Sequence, residues 1–482
     1  MNKLLVLRIL GVLAGVVAMI LLIPAGVALI YREEAAFLAF LQIALPTGIA
    51  GAVLFWLTRA SGLTLSNHDG FLVVTLSWVT VAALGALPFF LTGAIPSYTD
   101  AFFETMSGFT TTGATILTDI EVLPRSLLFW RSFTHWLGGM GIIVLTVAIF
   151  PLLGFKGLQL VRAEAPGPSV DKLTHKITHS AKILWLIYIA LSALETVLLL
   201  AAGMDLFDSL THTFGTMATG GFSPRNASVA AYNSLAVDTI ITVFMVLAGV
   251  NFVLYYSVIT GRFSTVLRDT ELKVYLGIFA VATAITTVAL HGETYRSWGE
   301  SLRYAAFQTA SILTTTGYAT ADYLHWPGVA MTVIFLLMFV GGCAGSTGGG
   351  MKVVRLTALF KQGINEMSYL LHPRGVFSPH MNGAPLKKTM LLGITGFFFL
   401  YFFLLLLTTL VVSLSGASLM TSFSTALATL GNIGPGFETI GPTGNYAAFP
   451  PAIKWFLSAI MLIGRLEVFT VLILLTPRYW RK

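Results

Sequence analysis

Charge is what this sequence lacks most. Of its 482 residues only 10% are Asp, Glu, Lys or Arg, against about 25% in an ordinary soluble chain. So few charges cannot cover a water-soluble globule of this size. The shortage excludes a soluble enzyme, a disordered protein and a nucleic-acid binder. Cysteine is scarcer still: Cys343 is the only one, so no intramolecular disulfide forms and no cysteine-based metal site is credible. It reads as a small packed residue. The nine histidines show no metal-ligand spacing; His175 and His179 stand four apart, but no carboxylate completes a site. There is no phosphate-binding loop, no G-x-G-x-x-G after a strand and no nucleophile–base arrangement. The chain is therefore expected not to be an enzyme and to carry no cofactor of its own.

What is present is hydrophobic residue, 56% of the chain. A spanning helix needs about 20 mostly apolar residues. Ten runs qualify, at 4–31, 36–58, 71–93, 126–153, 181–203, 235–260, 272–291, 327–343, 389–415 and 451–477. The first is too long for a signal-peptide core and further spans follow it, so it reads as a retained helix. Shorter apolar segments at 99–112, 206–218, 299–316 and 420–431 cannot cross a bilayer and fit re-entrant helices.

Each short segment ends in a glycine-containing strip. These are Thr110-Thr111-Thr112-Gly113, Ala218-Thr219-Gly220-Gly221, Thr314-Thr315-Thr316-Gly317 and Gly431-Asn432-Ile433-Gly434. Aligned on glycines 113, 220, 317 and 434, the strips lie 107, 97 and 117 residues apart, an internal repeat. The predicted fold is an all-α polytopic membrane protein. Two N-terminal spans (1–68) precede four parallel helix–pore-helix–helix repeats around a pseudo-fourfold pore, at 69–162, 163–268, 269–378 and 379–482.

Charge orients this layout. The face away from the strips holds 20 of the 28 Lys and Arg residues, among them Lys3, Arg59, Lys156, Arg268, Lys352, Lys388 and Arg481. The positive-inside rule then puts both termini in the cytoplasm and the strips outside. The strip side gathers 13 of the 21 acids, including Asp100, Glu104, Asp205, Asp208, Glu300 and Glu438, and an acidic mouth concentrates cations.

Irregular backbone at membrane depth is tolerated only inside protein or along a wet cavity. Four strips meeting on one axis can aim carbonyls at it and replace a cation's hydration shell. Glycine suits the required turns, threonine hydroxyls add oxygens, and the negative C-terminal ends of the short helices favour cations. The candidate cation-binding residues are Thr111, Thr112, Gly113, Ala218, Thr219, Gly220, Thr315, Thr316, Gly317, Asn432, Ile433 and Gly434. The competing reading, that Gly and Thr merely pack helices, has to explain four such strips in register. The first and third strips hold one glycine where a TVGYG loop holds two. Weaker discrimination follows: K⁺ and Rb⁺ should both pass, with Na⁺ less favoured.

These strips, with Phe339-Val-Gly-Gly-Cys-Ala-Gly-Ser-Thr-Gly-Gly-Gly350 and Gly464-Arg-Leu-Glu-Val-Phe-Thr470, resemble the TrkH/TrkG/KtrB superfamily of microbial potassium transporters over essentially the whole chain. The two extra N-terminal spans favour the TrkH branch. The resemblance maps the family's filter glycines to Gly113, Gly220, Gly317 and Gly434. It implies a homodimer with one pore per subunit, on a cytosolic ring of TrkA-type subunits. A nucleotide, ATP/ADP or NAD, is expected on that partner only.

Two further features are candidate gating elements. Residues 341–350 hold six glycines (Gly341, Gly342, Gly345, Gly348, Gly349 and Gly350), where a helix loses about 1 kcal/mol per glycine against alanine. They read as an intramembrane gating loop below the filter, or alternatively as tight helix packing; Lys352 follows and could couple the loop to a cytosolic partner. Arg465 and Glu467 fall inside the last span, where a charge costs on the order of 2.5–3.5 kcal/mol on insertion scales and marks function by default. Arg465 reads as a fixed positive charge in the pore; the alternative is a structural ion pair with Glu467 or Glu195. Gly138-Gly139-Met140-Gly141 reads as close packing rather than a hinge. The polar segment 156–182, with Ala163–Ser169, is a plausible contact for the partner.

The function these readings imply is potassium uptake through a gated, channel-like pore regulated by a cytosolic subunit. The alternative is a potassium symporter driven by protons or sodium, although such transporters often carry inverted repeats and these are parallel. A membrane enzyme would need a cluster of catalytic polar residues that the spans lack.

Overall fold

The computed structural model describes residues 2–59, 67–149 and 177–481. Most of the segment expected to meet a partner (residues 156–176, with Ala163–Ser169 and His175) lies outside the described residues, as does the 162/163 repeat boundary. Among the described residues the regular structure is helical, apart from a ribbon of β1 (His380–Met381) and β2 (Ala384–Pro385).

Helices α1 (Lys3–Ile30) and α2 (Glu34–Leu57) form the N-terminal hairpin. Their backbones touch at Gly11 and Gly51: a Cβ on Gly51 would meet Gly11 O at 2.5 Å, the close approach that small residues permit in membranes. Four units follow. The first is α3 (Asn67–Leu91), α4 (Tyr98–Phe109) and α5 (Arg125–Ile149). The second is α6 (Ile177–Ala201), α7 (Leu206–Met217), and α8 (Leu235–Ala248) with α9 (Phe252–Ile259). After α10 (Phe263–Arg268), the third is α11 (Thr270–Leu290), α12 (Trp298–Leu313), α13 (Gly328–Leu337) and α14 (Val353–Leu371). The fourth is α15 (Lys388–Ser413), α16 (Leu419–Leu430), and α17 (Pro451–Arg465) with α18 (Phe469–Leu472); α19 (Pro477–Trp480) ends the chain.

The short helices α4, α7, α12 and α16 begin alike. Ser97, Asp205, Ser297 and Ser418 each accept a hydrogen bond from a backbone N–H of the first turn. Such a cap stabilises a helix start by about 1 kcal/mol. It also explains why these segments start afresh instead of continuing the span before them.

The second span of every unit departs from the uninterrupted run read from hydropathy. In α5, Gly141 has φ 68° and ψ 162° and breaks the helix. Helices α8 and α9 meet at 94° across Gly249–Asn251, and α17 and its continuation meet at 115° across Leu466–Val468. In the third unit α13 stops at Leu337 and no helix resumes until Val353. Among the described residues six helices are long and apolar enough to cross a membrane, or eight if each bent pair counts once, not ten. Hydropathy misses the breaks because the apolar run continues through them. Local conformation makes them: the Asn251 side chain caps α9, and Glu467 and Val468 hold φ of 58° and 61°.

Candidate functional site

The four short helices end in the same turn. The N–H of Thr112, Gly220, Thr316 and Ile433 bonds the carbonyl five residues back, at 2.8–2.9 Å: Ser107, Gly215, Ser311 and Ala428 respectively. The residue before each is left-handed, namely Thr111 (φ 52°), Thr219 (54°), Thr315 (59°) and Asn432 (52°). This is the Schellman ending, which usually places glycine at the left-handed position. A β-branched residue there is an outlier, and such outliers gather at functional sites. Two residues after it comes a left-handed glycine: Gly113, Gly221, Gly317 or Gly434, with φ of 78–94°.

This pattern corrects the register of the second strip by one residue. Gly220 stands opposite Thr112, Thr316 and Ile433; the counterpart of Gly113 is Gly221. Ala218 is the helix cap, matching Thr110, Thr314 and Gly431. The doubled glycine hid the register. The signal that finds it is the Thr or Asn two residues before the left-handed glycine.

The strips then close on one another. A Cβ added to Gly113 would overlap Gly220 O; on Gly221, Thr316 O; on Gly317, Ile433 O; and on Gly434, Thr112 O, each at 2.6 Å or less. Each glycine abuts the carbonyl that precedes the glycine of the next strip, and the fourth returns to the first. The carbonyls of Thr112, Gly220, Thr316 and Ile433 thus meet around one centre. Such a ring can stand in for the water around a monovalent cation.

Side chains brace each junction of this ring. Between the first and second strips, Arg131 bonds Ser223 O at 3.0 Å and pairs with Glu104 at 2.7 Å. Tyr318 of the third strip donates to His212 O (3.0 Å) and Phe222 O (3.2 Å) in the second unit. Tyr323 donates to Gly436 O at 2.7 Å, joining the third strip to the fourth. Tyr446 closes the circle: its hydroxyl donates to Gly434 O and its N–H to Thr115 O, both at 2.7 Å. Asn432 adds a bond to Thr112 Oγ1 at 2.9 Å.

The Glu104–Arg131 pair is fully buried, at 1% and 2% exposure. Removing one partner of a buried pair costs about 3–5 kcal/mol, while replacing both with apolar residues is often neutral. Glu104→Ala should therefore lower the thermal unfolding midpoint of the purified protein markedly, and adding Arg131→Met should recover part of the loss. A single variant as stable as wild type would show that the pair does not brace the ring.

Beneath the ring lies the glycine-rich segment. It runs without helix through 341–350, mostly buried and fixed by hydrogen bonds. Thr347 Oγ1 donates to Met217 O (3.0 Å) and Ala248 O (3.2 Å), Gly349 N donates to Thr315 Oγ1 (2.7 Å), and a Cβ on Gly349 would lie 2.6 Å from Gly431 O. Gly348 similarly faces Thr314 O. Gly341 N bonds Met351 O at 2.8 Å, Val353 N bonds Gly342 O at 3.3 Å, and Gly345 and Gly350 take φ of 75° and 65°. Lys352 Nζ reaches back to Gly348 O. The segment so underlies the second, third and fourth strips.

Arg465 completes the layer. Its guanidinium donates to Thr347 O (2.8 Å) from one side and to Gly138 O (2.7 Å) and Gly139 O (3.2 Å) from the other. Gly138 packs against Phe109 O, under the first strip, closer than any side chain allows. Arg465 therefore bolts the glycine-rich segment to α5. Glu467, weighed as its partner on sequence grounds, pairs instead with Arg355. These bonds of Arg465 are to main-chain oxygens, which no sequence pattern reveals.

Known proteins resemble this chain in sequence and in overall fold. The family model for TrkH, described as cation transport protein, matches residues 37–482. The Trk system potassium uptake protein TrkH of Escherichia coli K12 is 41% identical over 98% of this chain and 99% of its own. That of Halomonas elongata is 40% identical over the full length of both. The crystal structure of the potassium transporter TrkH from Vibrio parahaemolyticus superposes with a TM-score of 0.89 at 37% identity, covering all of both chains.

Proposed function

From the premise that the chain belongs to the TrkH family of cation transport proteins, we propose that it takes up potassium across the bacterial inner membrane through the pore its four strips surround. One observation carries this reading: the head-to-tail nesting of Gly113, Gly221, Gly317 and Gly434 on the carbonyls of the neighbouring strips. Potassium is the substrate, dehydrated by the carbonyls of Thr112, Gly220, Thr316 and Ile433. The membrane potential drives entry, at about 2.3 kcal/mol per charge per 100 mV.

The layer below the ring is the gate. Residues 341–350 obstruct the path and Arg465 holds them against α5. A cytosolic nucleotide-binding subunit acts on this layer from the face that carries 20 of the 28 Lys and Arg residues, where both termini also lie. Arg355 and Lys352, just after the loop, are its levers: Lys352 holds Gly348 O and Arg355 pairs with Glu467 beside Arg465. The active unit is a homodimer with one pore per chain.

Purified chain in liposomes should take up ⁸⁶Rb⁺ down an inward-negative potential, with K⁺ competing better than Na⁺ and with no need of a proton or sodium gradient. Uptake that requires such a gradient would favour the symport alternative. Equal competition by Na⁺ and K⁺ would refute a filter made of this ring.

A further inference from the structure

The second strip is the odd one. Its sisters carry Thr112, Thr316 and Ile433 at the ring carbonyl; it carries Gly220. Conformation does not demand glycine there, because Gly220 lies outside the left-handed region that Gly221 occupies. Space does. A Cβ on Gly220 would lie 2.5–2.7 Å from Cγ, Cδ2 and Nδ1 of His135.

That imidazole is not free to yield. It is fully buried. Its Nδ1 lies 2.7 Å from Gly108 O of α4, and a carbonyl only accepts, so the proton sits on Nδ1. The ring stacks on Phe222 with centroids 4.0 Å apart, and Phe222 in turn lies 3.5 Å from the Arg131 guanidinium. His135 therefore touches the first quarter through Gly108 and the second through Gly220 and Phe222.

The fourth unit supplies the contrast. Gly464 packs on Leu430 O as Gly138 packs on Phe109 O, so Met461, three residues before Gly464, stands where His135 stands. The strip that follows the fourth unit is the first, and it carries Thr112. Methionine is flexible and leaves room for a side chain; a pinned imidazole does not.

We infer that His135 is a positioning residue of the filter, a rigid wedge that takes the side-chain volume of position 220 and fixes where the Gly220 carbonyl stands, and so tunes the choice among monovalent cations. This deepens the potassium-uptake reading and rests on it for the cation concerned.

The test is a double-mutant cycle of Gly220→Ala and His135→Ala in the full chain, read by thermal unfolding and by ⁸⁶Rb⁺ uptake in liposomes with K⁺ or Na⁺ as competitor. Overpacking costs about 1–3 kcal/mol, so Gly220→Ala alone should lower the unfolding midpoint and reduce uptake about tenfold, since 1.4 kcal/mol is a factor of ten. Adding His135→Ala should restore both, because the new methyl then has space. His135→Ala alone should lower the K⁺-over-Na⁺ competition ratio about fivefold, within the range of energies by which touching residues couple. A purely structural histidine would shift the midpoint and leave that ratio alone. The inference is overturned if the two substitutions add independently in the unfolding cycle, or if His135→Ala keeps the wild-type ratio. Wild type measured in parallel separates the readings: failure of wild type to take up ⁸⁶Rb⁺ defeats the functional proposal, while the unfolding cycle still decides the wedge.

Discussion

Gly221→Ala should abolish ⁸⁶Rb⁺ uptake. Two costs fall on one atom. Gly221 has φ 78°, a conformation that costs an L-residue roughly 1–2 kcal/mol. Its new Cβ would also overlap Thr316 O, a main-chain oxygen held at the ring. That oxygen belongs to residue 316, whose N–H is tied to Ser311 O at 2.8 Å, so it can retreat only by pulling a helix terminus with it. Of the four equivalent glycines the overlap is deepest at 221 and shallowest at 434, so Gly434→Ala should retain the most transport. Gly203→Ala is the control. Gly203 has φ 95° but nothing within reach of an added Cβ, so that variant carries the conformational cost alone and should transport nearly as wild type. Similar losses at 203 and 221 would place the defect in folding and not in the ring.

Arg465→Ala should act in the opposite direction and raise flux. In wild type the guanidinium binds three carbonyls, one on the glycine-rich segment and two on α5. A hydrogen bond to a charged group is worth about 1.5–3 kcal/mol. Losing the bolt should favour displacement of the segment, and even 1.4 kcal/mol shifts that equilibrium tenfold. On the proposed route through the ring, the substitution also removes a fixed positive charge from beside the cation. Uptake into liposomes without the cytosolic partner should rise about tenfold on that basis. Arg465→Lys should fall between, because one ammonium cannot fork to carbonyls on two elements as a guanidinium does. Unchanged or lower flux in a folded Arg465→Ala protein would defeat the gating role.

Much of this architecture was legible because helix starts and stops are local. The repeat and the placing of the four strips follow from apolar segments too short to span, each ending in glycine. The caps that start those segments, Ser97, Asp205, Ser297 and Ser418, agree with that reading. The one-residue slip at Gly220 arose because two adjacent glycines offer two registers, and aligning on glycine alone passes over Thr219, two residues before Gly221. The breaks in the second spans were hidden for a different reason: Val250 and Leu466 are as apolar as their neighbours, so hydropathy runs on through a bend of 94° or 115°. Least legible were contacts to main chain. The oxygens that Arg465 binds belong to Thr347, Gly138 and Gly139, and a carbonyl looks the same on every residue type. Pairing of Glu467 with Arg355 likewise joins positions 112 residues apart.

The unlike residues at the ring have one more consequence. Threonine, glycine, threonine and isoleucine differ in bulk and polarity, yet each presents the same amide oxygen to the glycine of a neighbouring strip. In the proposed filter a cation would meet four chemically identical oxygens however differently the chain spells them. The likeness that would matter to the cargo is thus carried by main chain, so four repeated units can differ in side chain and still present, to the ion, a square.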